Sequence, residues 1–147
     1  QKSQEDSDLT TIAEEEYNPE LSEKLKTEGN ELFQQQKFEE SLAKYRDALK
    51  YNRKLVALYT NIGLCLIKLD KPQACLKYCQ KAKEIDPKWS KAYIREAQAY
   101  AALKEYGEAA ASYWEALQLE PSNDDIKSLF HEMVRTGKAE HQKNKKQ

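Results

Sequence analysis

A repeat of 34 residues constrains the fold of this chain more than any other feature of its sequence. Small residues recur in register at this spacing, at Gly29, Gly63 and Ala97 and again at Ala48, Ala82 and Ala116. Larger residues keep the same register at Leu32, Leu66 and Tyr100. Small residues let two antiparallel helices approach closely, and large residues fill the space between them. The period therefore predicts an all-α chain of stacked helix pairs.

The register divides most of the chain into three units, at residues 22–55, 56–89 and 90–123. Pro87 and Pro121 stand at equivalent turns between units, where proline interrupts a helix, while the first unit has Arg53 at this place. At the start of the first unit, Asn18 followed by Pro19 is typical of a helix N-cap and first helical position. The sequence therefore predicts six helices in three pairs, beginning at residue 18.

One further helix is predicted after the third unit, over residues 122–137. Ser122 and Asp125 form a capping-box pattern at its start, and Gly137 is a natural stop. An apolar stripe follows helical spacing at Ile126, Leu129, Phe130 and Met133. Stacked repeats need such a terminal helix, with a polar outer face, to cover the last apolar surface. The repeat domain is thus expected at 18–137, between an acidic leader at 1–17 and a basic tail at 138–147.

Composition excludes several classes of function. The formal net charge is -1, and the basic residues form no long run, which argues against nucleic-acid binding. The sequence has no apolar stretch long enough for a membrane span and no visible signal sequence. Because the first residue is Gln1, we expect a piece of a longer protein. The low hydrophobicity and high charge of residues 1–17 predict a disordered leader.

The cysteines indicate a reduced intracellular protein, which we expect in the cytoplasm, with the nucleus as an open alternative. An odd number of cysteines does not suit a disulfide framework, and all three, Cys65, Cys75 and Cys79, fall at helix positions of the second unit. Cys75 and Cys79 are one turn apart but have no nearby histidine or further cysteine pair, so packing is favoured over metal binding. The sequence also shows no phosphate loop, nucleophile motif or carboxylate pair. We therefore expect no catalysis, cofactor or small-molecule substrate.

The period and its register resemble those of tetratricopeptide repeats over residues 22 to about 123. This resemblance implies a right-handed α-solenoid in which the first helix of each unit, helix A, lines a concave groove. In the second unit the groove positions that we expect to be exposed include Thr60 and Asn61. Across the three units, the groove positions hold more cations than acids, which favours an anionic ligand.

Five of these residues match the dicarboxylate clamp of co-chaperone tetratricopeptide domains: Lys26, Asn30, Asn61, Lys91 and Arg95. In that family the clamp holds the C-terminal Glu-Glu-Val-Asp sequence of the 90-kDa or 70-kDa heat-shock chaperones. The resemblance implies that Lys26, Asn30 and Asn61 hold the terminal carboxylate, and that Lys91 and Arg95 hold the aspartate. Further groove residues are expected to support the peptide: Phe33, Leu64, Lys68, Ile94 and Gln98.

The sequence therefore predicts an adaptor that binds the tail of a cytosolic chaperone. Two alternatives remain open, namely a scaffold for another acidic peptide and a regulatory module of a catalytic domain outside this chain. The acidic leader adds a hypothesis, in which Glu14, Glu15 and Glu16 reach back over the cationic groove and compete weakly with the peptide. The choice between the two chaperones depends on apolar contacts upstream of the terminal aspartate.

Overall fold

Residues 7–146 are described by the structure, which is a computed structural model. Within this range the chain forms seven α-helices, preceded by a 3-10 turn at Leu9–Thr11. The helices are α1 (Pro19–Gln34), α2 (Phe38–Tyr51), α3 (Val56–Lys68), α4 (Pro72–Ile85), α5 (Ser90–Ala102), α6 (Tyr106–Leu119) and α7 (Asp124–Lys145). This architecture confirms the prediction of an all-α repeat fold.

The helices pack as three successive pairs, α1 with α2, α3 with α4, and α5 with α6, and α7 packs against α6. Helices α1, α3 and α5 are the A helices of the three units, and α2, α4 and α6 are the B helices. Neighbouring A helices of the second and third units, α3 and α5, also contact each other. No described helix has the combination of length and apolar character needed to cross a membrane.

Close approach of α1 and α2 depends on the small residue of the repeat. A Cβ atom at Gly29 would lie 2.6 Å from the ring of Tyr45, a distance that carbon atoms do not tolerate. The hydroxyl of Ser41 donates a hydrogen bond of 2.7 Å to the carbonyl of Gly29, and that of Ser22 donates one of 2.9 Å to the carbonyl of Ala48. Buried hydroxyls thus find partners across the helix pair.

Each A helix ends in the same turn, although the sequence gives no sign of it. Gln36, Asp70 and Lys104 adopt left-handed backbone conformations, with φ of 62°, 60° and 61°. In the first unit, the amide of Gln36 donates to the carbonyl of Phe33 and the next amide donates to that of Leu32. This pair of bonds is a Schellman motif, which usually has glycine at the left-handed position. Here the fold imposes that conformation on three larger side chains.

The helix boundaries confirm the predicted start of the first helix and correct both ends of the last. The Asn18 side chain caps α1 by accepting a hydrogen bond from the amide of Leu21. For α7 the cap is Asn123, which accepts from the amide of Ile126, so the predicted capping box at Ser122 is wrong. Gly137 does not end α7, because the helix continues to Lys145. A single glycine lowers helix stability by only about 1 kcal/mol, which neighbouring helix-forming residues offset.

The described part of the leader lies against α2, in contrast to the expected disorder. Ile12 is only 6% exposed and belongs to the main apolar core. The Arg46 guanidinium donates hydrogen bonds to the carbonyl of Asp8 (2.9 Å) and to the hydroxyl of Tyr78 on α4 (2.7 Å). Arg53, which replaces the proline of the other units, donates to the carbonyl of Ile12. The apolar residue and the two arginines together hold this segment on the B-helix side.

The three cysteines are free and fully buried, as packing residues would be. The Sγ atoms of Cys75 and Cys79 are 3.8 Å apart, and burial raises the pKa of the Cys65 thiol to about 11. A buried thiol with a raised pKa, such as that of Cys65, is a poor nucleophile. Among the residues that the structure describes, no three His, Cys, Asp or Glu side chains come together as a metal site would require.

Candidate functional site

The five clamp-like residues lie on the three A helices. Lys26 and Asn30 stand one turn apart on α1, Asn61 lies on α3, and Lys91 and Arg95 stand one turn apart on α5. Residues four apart on a helix share a face, so each pair presents two polar groups to the same side. Lys91 and Asn30 are exposed, and the other three are partly buried. All five side chains are therefore at the surface of the helices that line the expected groove.

Lys26 is engaged within its own helix. Its ammonium nitrogen lies 3.1 Å from a carboxylate oxygen of Glu23, one turn earlier on α1. The lysine side chain is 22% exposed and that of Glu23 is 54% exposed. An ion pair this open to water is weak. A ligand carboxylate can thus replace Glu23 as the partner of Lys26 at small cost.

Asn30 is oriented by a buried tyrosine of the neighbouring helix. The hydroxyl of Tyr45 on α2 donates a hydrogen bond of 2.5 Å to Oδ1 of Asn30. Tyr45 is 2% exposed, and burial raises its pKa to about 12, so its hydroxyl stays protonated near neutral pH. With its acceptor oxygen engaged, the side-chain amide of Asn30 retains its two N–H donors.

Asn61 and Arg95 belong to adjoining helices that meet closely. Gly63, two residues after Asn61, is so placed that an added Cβ would lie 3.7 Å from Cβ of Arg95. The same added atom would lie 3.2 Å from Sγ of Cys75. The small residue of the second unit thus lets both the B helix and the next A helix approach. This contact brings Arg95 against the surface of α3.

Arg95 is a cation in a largely buried setting. One terminal nitrogen of its guanidinium donates a hydrogen bond of 3.2 Å to Oε1 of Gln98, and no acidic side chain pairs with it in the described structure. Its Nε atom is buried without a hydrogen-bond partner. Burial lowers the pKa of Arg95, although arginine remains charged at physiological pH. A largely buried cation without an acidic partner favours the arrival of an anion at its accessible terminal nitrogens.

The surroundings of Lys91 include a tryptophan that sequence analysis did not single out. The Lys91 ammonium lies 5.9 Å from the ring centroid of Trp89, near the outer limit for a cation–π contact. The Trp89 indole donates a hydrogen bond of 3.2 Å to the hydroxyl of Thr60. Thr60 is 1% exposed, so the expectation that it is an exposed groove residue is wrong. The bulky indole at the start of α5 covers it.

The predicted supporting residues differ in their exposure. Phe33 packs partly on the main core, with its ring 5.0 Å from that of Phe38 in an edge-on arrangement. Leu64 and Ile94 are half-buried, as apolar wall residues would be, and Lys68 is exposed near the end of α3. The set therefore offers apolar surface beside the polar residues.

A separate concavity of about 680 Å³ lies on the B-helix side, beneath the leader. Its walls include Ile12, Glu39, Arg46 and Lys50, so charges of both signs face it. None of the five clamp-like residues lines it. Cavity volume therefore does not select the candidate site, which is instead chosen from the charge and hydrogen-bonding pattern of the A helices.

Besides Trp89, sequence reasoning missed two contacts of the site. It did not indicate that the hydroxyl of Tyr45 contacts Asn30, and it did not pair Glu23 with Lys26. Glu23 could have been found, because an acid three residues before a lysine on a helix commonly pairs with it. The contact between Tyr45 and Asn30 could not have been found, since it joins residues 15 positions apart on different helices.

The fold defines a helical repeat protein whose A helices carry the cations Lys26, Lys91 and Arg95. Family profiles described as TPR repeat and tetratricopeptide repeat match residues 29–70, 56–88 and 90–123. The chain belongs to the tetratricopeptide-repeat family. This confirms the resemblance that the 34-residue period indicated.

The chain is also similar in sequence to part of a larger protein. The Hsp70-Hsp90 organizing protein of Triticum aestivum is 34% identical over 110 residues, which are 75% of this chain and 19% of that protein. The chain thus spans only a small part of this relative.

Among solved structures, the TPR domain of Arabidopsis OM64 is 32% identical, with a TM-score of 0.75, and the match covers 80% of this chain and 97% of that domain. The first TPR domain of Spaghetti (RPAP3), solved bound to the HSP90 peptide SRMEEVD, is 26% identical, with a TM-score of 0.77. That match covers 81% of this chain and 94% of the other.

Proposed function

We propose that the groove of α1, α3 and α5 binds the C-terminal Glu-Glu-Val-Asp tail of a 90-kDa or 70-kDa heat-shock chaperone. In this role the domain is an adaptor and not an enzyme, and it works in the cytoplasm, where such chaperones are found. It links the chaperone to whatever protein carries the domain.

The observation that carries this proposal is the state of Arg95. Its guanidinium is largely buried, bonds only to the neutral Gln98 and has no acidic partner in the described structure. Desolvating a cation is costly, and a carboxylate placed against it offsets that cost through charge-assisted hydrogen bonds. Lys91, one turn earlier on the same face, adds a second cation for the same ligand.

The remaining clamp-like residues suit a terminal carboxylate. The Asn30 amide keeps its N–H donors because Tyr45 occupies its oxygen. Asn61 adds a second neutral amide, and Lys26 adds a charge held only by an exposed pair with Glu23. Two amides and one ammonium can surround the two oxygens of a carboxylate with donors. The aspartate side chain of the peptide is then left to Lys91 and Arg95.

The relatives support the same ligand. The similar domain of Spaghetti (RPAP3) was solved with the peptide SRMEEVD, which ends in Glu-Glu-Val-Asp. The similar protein of Triticum aestivum is named for both Hsp70 and Hsp90. Because this chain spans 19% of that protein, the comparison supports a shared binding module and leaves the remainder of the carrier open.

Calorimetry with a peptide ending Met-Glu-Glu-Val-Asp tests the proposal. We expect one site with a free energy of about -7 to -8 kcal/mol, equivalent to low-micromolar affinity. The same peptide with an amidated C-terminus should bind much more weakly, since it lacks the charged acceptor. Equal binding of acid and amide would contradict the clamp and favour an internal acidic peptide as the ligand.

A further inference from the structure

Tyr45 is buried, yet its polar atom reaches the edge of the proposed groove. The ring fills the space left by Gly29, which allows no side chain there. From this position the hydroxyl lies 2.5 Å from Oδ1 of the exposed Asn30. The residue therefore joins the packing of the first helix pair to a surface amide.

This contact decides which way the Asn30 amide faces. A terminal amide can present either its oxygen or its nitrogen to a ligand, and the two arrangements favour opposite ligands. The hydroxyl of Tyr45 can satisfy the oxygen by donating to it, after which the nitrogen and its two hydrogens remain for the groove. Burial raises the Tyr45 pKa to about 12, so this donor persists over the whole range in which the protein would be studied.

We infer that Tyr45 is a positioning residue that makes the groove selective for a free terminal carboxylate, by holding the Asn30 amide with its N–H donors toward the ligand. The inference rests on the proposed function. On this inference, the buried Tyr45 lets the groove distinguish two forms of the peptide C-terminus. A carboxylate only accepts hydrogen bonds, whereas an amide also donates them.

The register of the repeat supplies a matched control. Tyr113 occupies the same position in the third unit and is similarly buried, at 4% exposed compared with 2% for Tyr45. Within the described structure its hydroxyl bonds to no groove residue. Tyr45→Phe and Tyr113→Phe thus each remove one buried hydroxyl while keeping the ring, and only the first removes a hydrogen bond to the proposed clamp.

The first measurement needs no peptide. Nitrogen relaxation by NMR reports the mobility of the Asn30 side-chain amide on the picosecond-to-nanosecond timescale. We expect Tyr45→Phe to increase that mobility and Tyr113→Phe to leave it unchanged. An Asn30 amide as rigid in Tyr45→Phe as in the wild type would overturn the inference, whatever the peptide data show.

The second measurement compares affinities for the acid and amide forms of the peptide. In Tyr45→Phe the ratio of the two affinities should fall about 5-fold, equivalent to about 1 kcal/mol for one hydrogen bond, whereas in Tyr113→Phe it should stay within about twofold of the wild type. Asn30→Asp keeps an acceptor for Tyr45 but replaces the N–H donors with oxygen. It should weaken the acid peptide more than 10-fold, because two carboxylates then face each other.

The outcomes separate this inference from the proposed function. A wild-type protein that distinguishes acid from amide, together with an unchanged ratio in Tyr45→Phe, would overturn only the role of Tyr45. A wild-type protein that binds both forms equally would overturn the clamp and, with it, the selectivity assigned to Tyr45. A reduced ratio confined to Tyr45→Phe, with a mobile Asn30 amide, supports the inference.

Discussion

A carboxylate oxygen of Glu23 lies 3.1 Å from the ammonium nitrogen of Lys26, so one cation of the groove already has an anionic partner. The two residues are one turn apart on α1, and the acid is the more exposed of the two. A peptide carboxylate must share or replace this contact. The pair therefore reduces the affinity that Lys26 can contribute.

Glu23→Gln should strengthen peptide binding about twofold to threefold at low salt, since an exposed ion pair contributes up to about 1 kcal/mol. Calorimetry at two salt concentrations measures the change, which should shrink at high salt because screening shortens electrostatic range. Glu20→Gln is the control, as Glu20 lies in the first turn of α1 and forms no ion pair among the described residues. A weaker peptide affinity in Glu23→Gln would show that the acid assists the ligand.

Lys91→Ala should weaken peptide binding by about 1.5 to 3 kcal/mol, the range for a hydrogen bond to a charged group. Its Tm should be nearly unchanged, because Lys91 is exposed and such charges add little stability. Lys127→Ala, at an exposed position of α7, should change neither quantity. A large loss of helicity in Lys91→Ala, measured by circular dichroism, would contradict the assignment of Lys91 to the groove.

Gly29→Ala should destabilise the protein by about 1 to 3 kcal/mol, as overpacking does, because the new Cβ would lie 2.6 Å from the Tyr45 ring. Gly107→Ala should instead stabilise it by up to about 1 kcal/mol, since the added Cβ of this helical glycine meets nothing within 4 Å. Urea unfolding measures both. A destabilised Gly107→Ala would contradict the packing that the structure gives to α6.

Gly63→Leu should disrupt packing more severely than Gly29→Ala, because one added Cβ at Gly63 would already lie 3.2 Å from Cys75 Sγ.

Ile12→Ala should lower the free energy of unfolding by about 2 kcal/mol. This is the lower end of the range for truncating a buried isoleucine to alanine, because the leader can detach locally without unfolding the helices. Peptide affinity should not change, since this segment lies on α2 and not over the A helices. Tyr17→Ala is the control, as Tyr17 is 69% exposed.

Deleting residues 1–16 should likewise destabilise the protein without tightening the peptide complex. The sequence suggested that Glu14, Glu15 and Glu16 visit the groove, but the amide of Glu15 donates to the carbonyl of Lys50 at the end of α2. Tighter peptide binding after the deletion at low salt would restore the competition hypothesis.

Acid should destabilise the protein partly through Glu120. Hydrogen bonds from Ser90 and Asn123 hold the pKa of Glu120 below its ordinary value of 4.5. A lowered folded-state pKa means that the stabilisation is complete above pH 4.5 and is lost as the pH falls through the folded-state value. The urea midpoint of the wild type should therefore fall more steeply below pH 4.5 than that of Glu120→Gln. Parallel curves for the two proteins would show that these hydrogen bonds do not depend on the charge.

The register of small residues at Gly29 and Gly63 determined the fold, because close helix packing has few solutions and the pattern repeats three times. The polar groove residues were also predictable as residues of the A helices, since their positions follow from the same register. Whether they form a clamp remains a prediction until the peptide is measured. The cap of the last helix at Asn123 was not found, because several neighbouring residues are equally able to cap a helix.

By itself, the sequence determined the period, the helix pairs and the face on which each A helix carries its polar groups, since all of these follow from spacing along the chain. Only the tertiary structure decided which partners those groups have. Tyr45 meets Asn30, Trp89 covers Thr60 and Arg46 holds the leader through contacts between elements distant in the chain. Spacing within one helix cannot specify such contacts, because they depend on how neighbouring helices are placed against one another.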